Sequence, residues 1–223
     1  MNEDILLITN YSLKQLNEYK KLLTRTMRLN KTEGISMHVR TQKVNGIQHH
    51  VLKIRNGNKK AEIILVAIDL MCINDVDDYS ELNEKAEKML LKEEWFYGLK
   101  DRAGLEQVIG SMNQSVFGHT LHPTVVDKAV HLWYSIATKQ MFNNGNKRTA
   151  LLAAVTMLNL NFLELPNMDP MELYNISLKL ARKEMSPEQL KNFLMTHLIV
   201  STKYMNLFLD QAQQVYNEQV VDK

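Results

Sequence analysis

The sequence predicts an α+β protein in which a small N-terminal α/β domain precedes an all-helical bundle. Two patterns support this prediction. In the first part of the chain, apolar and polar residues alternate in runs separated by Asn-Gly pairs, whereas beyond residue 96 apolar residues recur every three or four positions. We therefore expect residues 1–95 to form the α/β domain, residues 96–200 the bundle and residues 201–223 a C-terminal helical tail.

The N-terminal domain is predicted to contain one helix and a three-stranded antiparallel meander. Residues 11–29 place their apolar side chains on one helical face, and Ser12 is a candidate cap. Asn-Gly pairs at 45–46 and 56–57 separate three apolar runs, and Asn-Gly is the strongest short signal for a hairpin. The meander should pack on the first helix. An acidic stretch, residues 75–87, should follow as a loop that leads into a solvated helix.

The second part of the chain has the pattern of a series of helices. Residues 122–138 carry an apolar stripe, and Pro123 suits the first position of a helix. Residues 147–162 are apolar on most sides, which is typical of a helix that runs through a core. Two further helices should begin near Pro170 and Pro187.

The composition indicates a globular protein of the cytoplasm. The 27 basic and 25 acidic residues leave a formal charge of only +2, which gives no general case for a nucleic-acid or membrane surface. The single cysteine excludes an intrachain disulfide, and no stretch approaches the roughly 20 apolar residues of a membrane span. The acidic N-terminus is unlike a signal peptide. A homo-oligomer is compatible with these features.

Residues 140–150, QMFNNGNKRTA, carry the clearest sign of a binding site. Turn-forming residues give way here to a helical pattern, so Lys147 and Arg148 should lie in the first turn of a helix. Positive side chains at this end cost roughly 0.3–1 kcal/mol unless an anion offsets them, because the helix dipole is also positive there. We expect an anion to bind at Gly145, Asn146, Lys147 and Arg148. Alternatively, the two cations pair with acids of the acidic stretch or of the N-terminal domain.

These residues resemble the signature of a known family. FNNGNKRTA, preceded by GLKDRAGLEQVI, is similar to the signature H-x-F-x-D/E-G/A-N-K/G-R of the Fic/Doc (Fido) superfamily, and most similar to its Doc (death-on-curing) branch. Asp101, Gly104 and Glu106 match the upstream Doc segment. The resemblance covers about residues 96–199. It implies a Fic/Doc-like helical bundle, in which Phe142 is the buried anchor of the loop.

The resemblance also implies a chemistry that is altered at two positions. Family enzymes transfer AMP or phosphate from a nucleotide to a protein hydroxyl, with the signature His as general base and the acid four residues later holding Mg²⁺. Gln140 stands at the His position and Asn144 at the acid position. A Gln amide does not take up a proton near neutral pH, and general-base catalysis typically contributes about 10²–10⁴-fold. We therefore expect no catalytic residue, no bound metal and no required cofactor, while ATP or another phosphate still suits the anion site.

Three histidines are the alternative candidates for a base. His119 and His122 precede the helix that leads into the loop, and their own loop could fold over the site. His131 lies within that helix, about 10 Å or more from Gln140 along the axis, and fits better as a surface or packed residue.

Three functional hypotheses remain. The first is a catalytically degenerate Doc-like protein that acts by protein–protein interaction in a toxin–antitoxin or prophage/phage circuit. Its partner would be a toxin–antitoxin component or a host regulator, since the Doc branch is restrained by a separate antitoxin protein. No direct contact with nucleic acid or membrane is expected. The second hypothesis is an active transferase of AMP or phosphate, and the third is a nucleotide sensor without catalysis.

Overall fold

The computed structural model describes residues 5–9, 12–26, 35–44, 47–56, 64–66, 70–90, 98–201 and 203. Helices predominate and are accompanied by short strands, so the predicted α+β class is confirmed. The helices are α1 Leu13–Thr26, α2 Val76–Leu90, α3 Arg102–Ser111, α4 Val125–Lys139, α5 Asn146–Leu160, α6 Pro170–Ala181 and α7 Pro187–His197. Among the described residues, none of these helices combines the length and apolar character that a membrane span needs.

The strands in the described residues form one four-stranded sheet and two small two-stranded sheets. They are β1 Ile5–Thr9, β2 Ile35–Val44, β3 Ile47–Asn56, β4 Ile64–Val66, β5 Ser115–Val116, β6 His119–Thr120, β7 Leu163–Glu164 and β8 Ile199–Val200. The larger sheet has the order β2-β3-β1-β4, with β1 antiparallel to β3 and parallel to β4. The smaller sheets pair β5 with β6 and β7 with β8.

The larger sheet confirms one predicted hairpin and corrects the predicted three-stranded meander. β2 and β3 pair antiparallel along their length, with Val44 opposite Ile47, as the Asn-Gly pair between them predicts. β4 lies within the predicted third strand, but it pairs with β1 and not with β3. The meander prediction is wrong because the short run ILLIT near the N-terminus forms an additional strand, β1, beside β3. The turn residues 45–46 and 57–63 lie outside the described residues.

α4 and α5 lie at the centre of the bundle. Trp133 of α4 is fully buried, and its Nε1–H donates a hydrogen bond to Ser177 Oγ of α6 at 2.7 Å, which satisfies the polar edge of the indole. α5 buries a face of small residues, Ala150, Ala153 and Ala154, which lets its neighbours approach closely. The helix predicted over residues 147–162 is therefore present, and one of its faces is in the core.

Buried contacts join the first 95 residues to the bundle. Gln15 Oε1 on α1 accepts a hydrogen bond from the backbone N–H of Val125, at the start of α4, at 2.7 Å. Lys191 of α7 forms ion pairs with Asp127 of α4 and Glu18 of α1. One cluster of buried apolar side chains spans both parts of the chain. The domain division near residue 95 stays a prediction, and these contacts cross it.

The last described strand ties the end of the bundle to α1. β8 pairs with β7, which follows α5, and the Val200 N–H donates to Thr26 Oγ1 at 2.9 Å. The predicted C-terminal helical tail, residues 201–223, lies outside the described residues except for positions 201 and 203.

Four helices of the bundle begin at a side-chain cap. The capping residues are Asp101 for α3, Thr124 for α4, Asp169 for α6 and Ser186 for α7. Pro170 and Pro187 begin their helices as predicted, whereas Pro123 precedes the cap of α4 and lies outside that helix. α5 differs from these four, because its N-cap residue is Gly145, which provides no side-chain cap.

Asn161 fastens the segment before α2 to the C-terminal end of α5. Its Oδ1 accepts a hydrogen bond from the Met71 N–H at 3.0 Å, and its Nδ2 donates to Met71 O and Met157 O, both at 2.8 Å. Asn161 is buried, so Asn161→Ala leaves the Met71 groups unpaired. We expect the free energy of unfolding to fall by about 2–4 kcal/mol, measured by urea denaturation.

Asn192→Ala on the exposed surface of α7 is the matched control for this variant. It should change the free energy of unfolding by no more than about 0.5 kcal/mol. Equal losses in the two variants would contradict the role given to Asn161.

Candidate functional site

The turn between α4 and α5 is fastened to the segment that precedes α3. Met141 O accepts hydrogen bonds from the backbone N–H groups of Lys100 and Asp101 at 2.8 and 3.0 Å. The Asn143 N–H donates to Gly98 O at 3.0 Å. The turn is thus paired on one side with the backbone of residues 98–101, which limits how far it can move.

Phe142 and Asn146 close the turn on itself. Phe142, the predicted loop anchor, is 1% exposed. Asn146 Oδ1 accepts a hydrogen bond from the Phe142 N–H at 2.8 Å, and Asn146 Nδ2 donates to Phe142 O at 2.7 Å. Asn144 Oδ1 accepts from the Gly145 N–H at 2.7 Å, so this side-chain oxygen engages the backbone of the turn. These bonds give the five residues from 142 to 146 one defined shape.

The amino end of α5 is positive, and no acid among the described residues offsets this charge. The first turn of α5 contains no acidic residue and includes Lys147 and Arg148, as the sequence predicts. Neither cation forms an ion pair with any described residue, so the alternative pairing with nearby acids is not observed there. Arg148 Nη1 is buried and has no hydrogen-bond partner among the residues that the structure describes. Because a buried unpaired donor is unfavourable, this end of the helix is suited to an anion.

An open cleft of about 260 Å³ adjoins this end of α5. It brings together six of the residues singled out in the sequence, namely Gln140, Asn144, Gly145, Asn146, Lys147 and Arg148. Thr138, Asn143 and Tyr174 line it as well. Phe142 is buried and does not line the cleft.

Tyr174 is a lining residue that sequence reasoning missed. It lies on α6, whereas the other polar lining residues belong to α4, α5 and the turn between them. The helical pattern of α6 is visible in the sequence, but its packing beside α5 is a tertiary contact that no motif marks. Its phenol can stack on a ring or donate a hydrogen bond to a ligand in the cleft.

The cleft can bind and orient an anion, but its described lining offers no group for proton transfer near neutral pH. No carboxylate, imidazole or thiol is among the lining residues that the structure describes. Nor do the described residues contain a group of three or more His, Cys, Asp or Glu side chains that could hold a metal ion. Amides, hydroxyls, a lysine and an arginine remain, and these are groups that recognise phosphate or carboxylate.

The three candidate histidines do not line the cleft. His122 stacks on His131 with ring centroids 4.2 Å apart. Burial, together with the nearby His131 and Lys128, lowers the pKa of His122 to about 4. His131 Nε2 lies 2.8 Å from Ser111 Oγ, and burial also lowers the pKa of His131. His119 is exposed in β6. The two stacked rings are therefore packing residues.

Asn83 of α2 is a second residue that the sequence did not reveal. It is buried, and its side-chain amide contacts the turn from the side opposite the solvent. Asn83 Nδ2 donates to Asn144 O at 3.0 Å and to Thr149 Oγ1 at 2.8 Å. The acidic stretch that contains it was expected to be a loop and a solvated helix, yet α2 buries one face.

The turn requires a glycine at position 145 for two reasons. Its φ is +75°, which side chains rarely adopt, and a Cβ there would lie 3.0 Å from Asn83 Nδ2. We expect Gly145→Ala to lower the free energy of unfolding by about 1–3 kcal/mol, measured by urea denaturation. Gly110→Ala is the matched control, because a Cβ in that part of α3 would meet no atom within 4 Å. It should be neutral or stabilise by up to about 1 kcal/mol; a destabilisation equal to that of Gly145→Ala would refute the argument.

The chain is similar to a curated toxin. It is 38% identical over 69 residues to "Toxin Doc" of Mycolicibacterium smegmatis, a match that covers 31% of this chain and 49% of the toxin. The chain thus spans about half the length of the curated relative it matches. This similarity supports the Doc branch that the turn and its upstream segment indicate.

A model of the Fic/DOC family matches residues 3–158. The match contains the turn, the cleft residues of α4 and α5, and α2 with Asn83. It also extends through the N-terminal part, which the motifs alone left outside the resemblance. Because the match covers more than half of the 223 residues, the chain belongs to the Fic/DOC family.

Proposed function

We propose that this protein is a catalytically degenerate Doc-like protein that acts by protein–protein interaction. The observation that carries the proposal is the composition of the cleft. Gln140 and Asn144 stand where the family resemblance expects a base and a metal-binding acid, and the other described lining residues supply no replacement. Hydrogen bonds between its own residues hold the adjoining turn in one shape.

The retained turn supports a role in binding. Two cations at the positive end of α5 are unfavourable unless an anion offsets them, because they repel each other and the positive end of the helix dipole. Their presence therefore favours a site that binds an anion. A carboxylate or phosphate of a partner protein would offset that charge by pairing with Lys147 and with the guanidinium of Arg148, whose Nη1 has no partner in the described residues.

The partner is proposed to be a component of a toxin–antitoxin or prophage/phage circuit. The similarity to a Doc toxin over part of the chain supports this choice. A protein that keeps the Doc surface without its chemistry would compete with an active relative for the same partner. Such competition needs no turnover.

A nucleotide sensor is the second candidate, and the unpaired Arg148 Nη1 favours it. The uncapped amino end of α5 and the side chains of Lys147 and Arg148 would hold phosphate groups, and Tyr174 would contact a base or sugar. Binding would not depend on Mg²⁺, because no carboxylate lines the described cleft.

A pull-down tests the interaction. The tagged full chain is incubated with extract, and we expect one stoichiometric partner to be captured. Lys147→Ala/Arg148→Ala should lose that partner, because it removes the charge that holds the partner's acidic group. Lys14→Ala/Lys21→Ala, on the exposed face of α1, removes the same charge elsewhere and should retain the partner. Equal capture by both double variants would contradict a role for the cleft in the interaction.

Thermal unfolding with ATP tests the sensor. ATP at ten times its Kd should stabilise the wild type by about 1.4 kcal/mol, and adenosine, which lacks phosphate, should not. The shift should persist when EDTA removes Mg²⁺ and should vanish in Lys147→Ala/Arg148→Ala. A shift that requires Mg²⁺, or one that survives in the double variant, would count against this candidate.

A further inference from the structure

Asn83 is an unusual residue for its place in α2. Val76, Tyr79, Leu82 and Ala86 form the buried face of the helix, and Asn83 lies among them with 1% of its surface exposed. An amide in such a position is unfavourable unless its polar atoms are paired, and asparagine is also a weak helix former. An apolar residue would fill the same position without either cost.

In the part of the chain that the structure describes, the Asn83 side chain is hydrogen-bonded to the turn, to the first turn of α5 and to the segment that fastens the turn. Besides its bonds to Asn144 O and Thr149 Oγ1, Asn83 Oδ1 accepts from the Gly98 N–H at 3.4 Å. Gly98 is in turn paired with Asn143 through its carbonyl. One amide therefore bridges the two backbones whose relative position shapes the turn.

We propose that Asn83 is a positioning residue for the anion cleft, through which α2 holds the turn in its binding shape. The proposal deepens the binding function proposed for the same site. Asn83 does not line the cleft, so it acts through Asn144, Gly145 and Thr149. The Thr149 hydroxyl connects Asn83 to the turn, because it accepts a hydrogen bond from Asn83 and donates one to Gly145 O at 3.0 Å.

This arrangement couples two parts of the chain. The turn adopts its binding shape only while α2 is packed against it. An anion that stabilises this shape therefore also stabilises the packed position of α2. Such coupling is reciprocal, because both events share one free-energy cycle. A partner that displaced α2 would therefore weaken anion binding, and an anion in the cleft would oppose that displacement.

Hydrogen exchange of the ligand-free protein tests the proposal. The Asn143 N–H is hydrogen-bonded to Gly98 O of the segment before α3, and the Thr149 N–H is hydrogen-bonded to Gly145 O, so the exchange of both groups reports opening of the turn. In Asn83→Ala we expect their exchange to accelerate about ten-fold or more relative to amides of α7, since two hydrogen bonds to the turn are gone. Asn83→Asp keeps the shape and the acceptor but loses both donors, and it should have the same effect.

Asn161→Ala is the matched control, because it removes a buried asparagine with the same number of hydrogen bonds at the other end of α5. It should lower the melting temperature without accelerating exchange in the turn. If exchange in the turn rises no more in the Asn83 variants than in Asn161→Ala, the residue is merely structural and the proposal is overturned. Two different substitutions of Asn83 are used, so the measurement can still be made if one of the two variants does not fold.

A second readout separates this proposal from the function on which it rests. We expect the Kd for ATP to rise about ten-fold in Asn83→Ala and to stay within about two-fold of wild type in Asn161→Ala. An unchanged Kd in Asn83→Ala would overturn the proposal. If wild type itself binds no ATP, the nucleotide sensor fails, whereas the exchange measurement still decides the role of Asn83.

Discussion

The amino end of α5 is the feature on which the rest of the site depends. A helix already presents unpaired N–H groups and a positive dipole at this end, and here Lys147 and Arg148 add two charges. Neither an acid among the described residues nor a side-chain cap offsets them. The four neighbouring helices α3, α4, α6 and α7 all begin at capping side chains. The absence of a cap on α5 is therefore a local property of the site, and it leaves room for an external anion.

The surrounding elements keep this end of the helix in a fixed shape. The segment before α3 pairs with the turn, Phe142 is buried, and the Asn146 amide closes the loop on the Phe142 backbone. Gln140 and Asn144 fit into this frame as neutral amides. Amides retain size and hydrogen bonding, but they neither accept a proton near neutral pH nor supply the carboxylate that Mg²⁺ prefers. In our proposal the protein has kept the binding part of a family site and lost its chemistry.

Sequence reasoning was most successful where the information is local. Lys147 and Arg148 could be placed in the first turn of α5 because turn formers precede a helical pattern, and the β2–β3 hairpin followed from one Asn-Gly pair. Sequence reasoning failed for contacts between residues that are distant in sequence. β1 is a five-residue run whose neighbours β3 and β4 lie some 40 or more residues away. Tyr174 and Asn83 reach the cleft region only through packing of α6 and α2, and no periodicity marks such a contact.

The central claim is that the cleft binds without transferring anything. Its most direct test is incubation of the wild type with extract, Mg²⁺ and ATP labelled at either the α- or the γ-phosphate, beside the variant Gln140→His/Asn144→Asp. The account predicts no labelled protein with the wild type and labelled protein with the variant, since the frame of the turn is intact. Label transferred by the wild type, and abolished by Gln140→Ala, would contradict it.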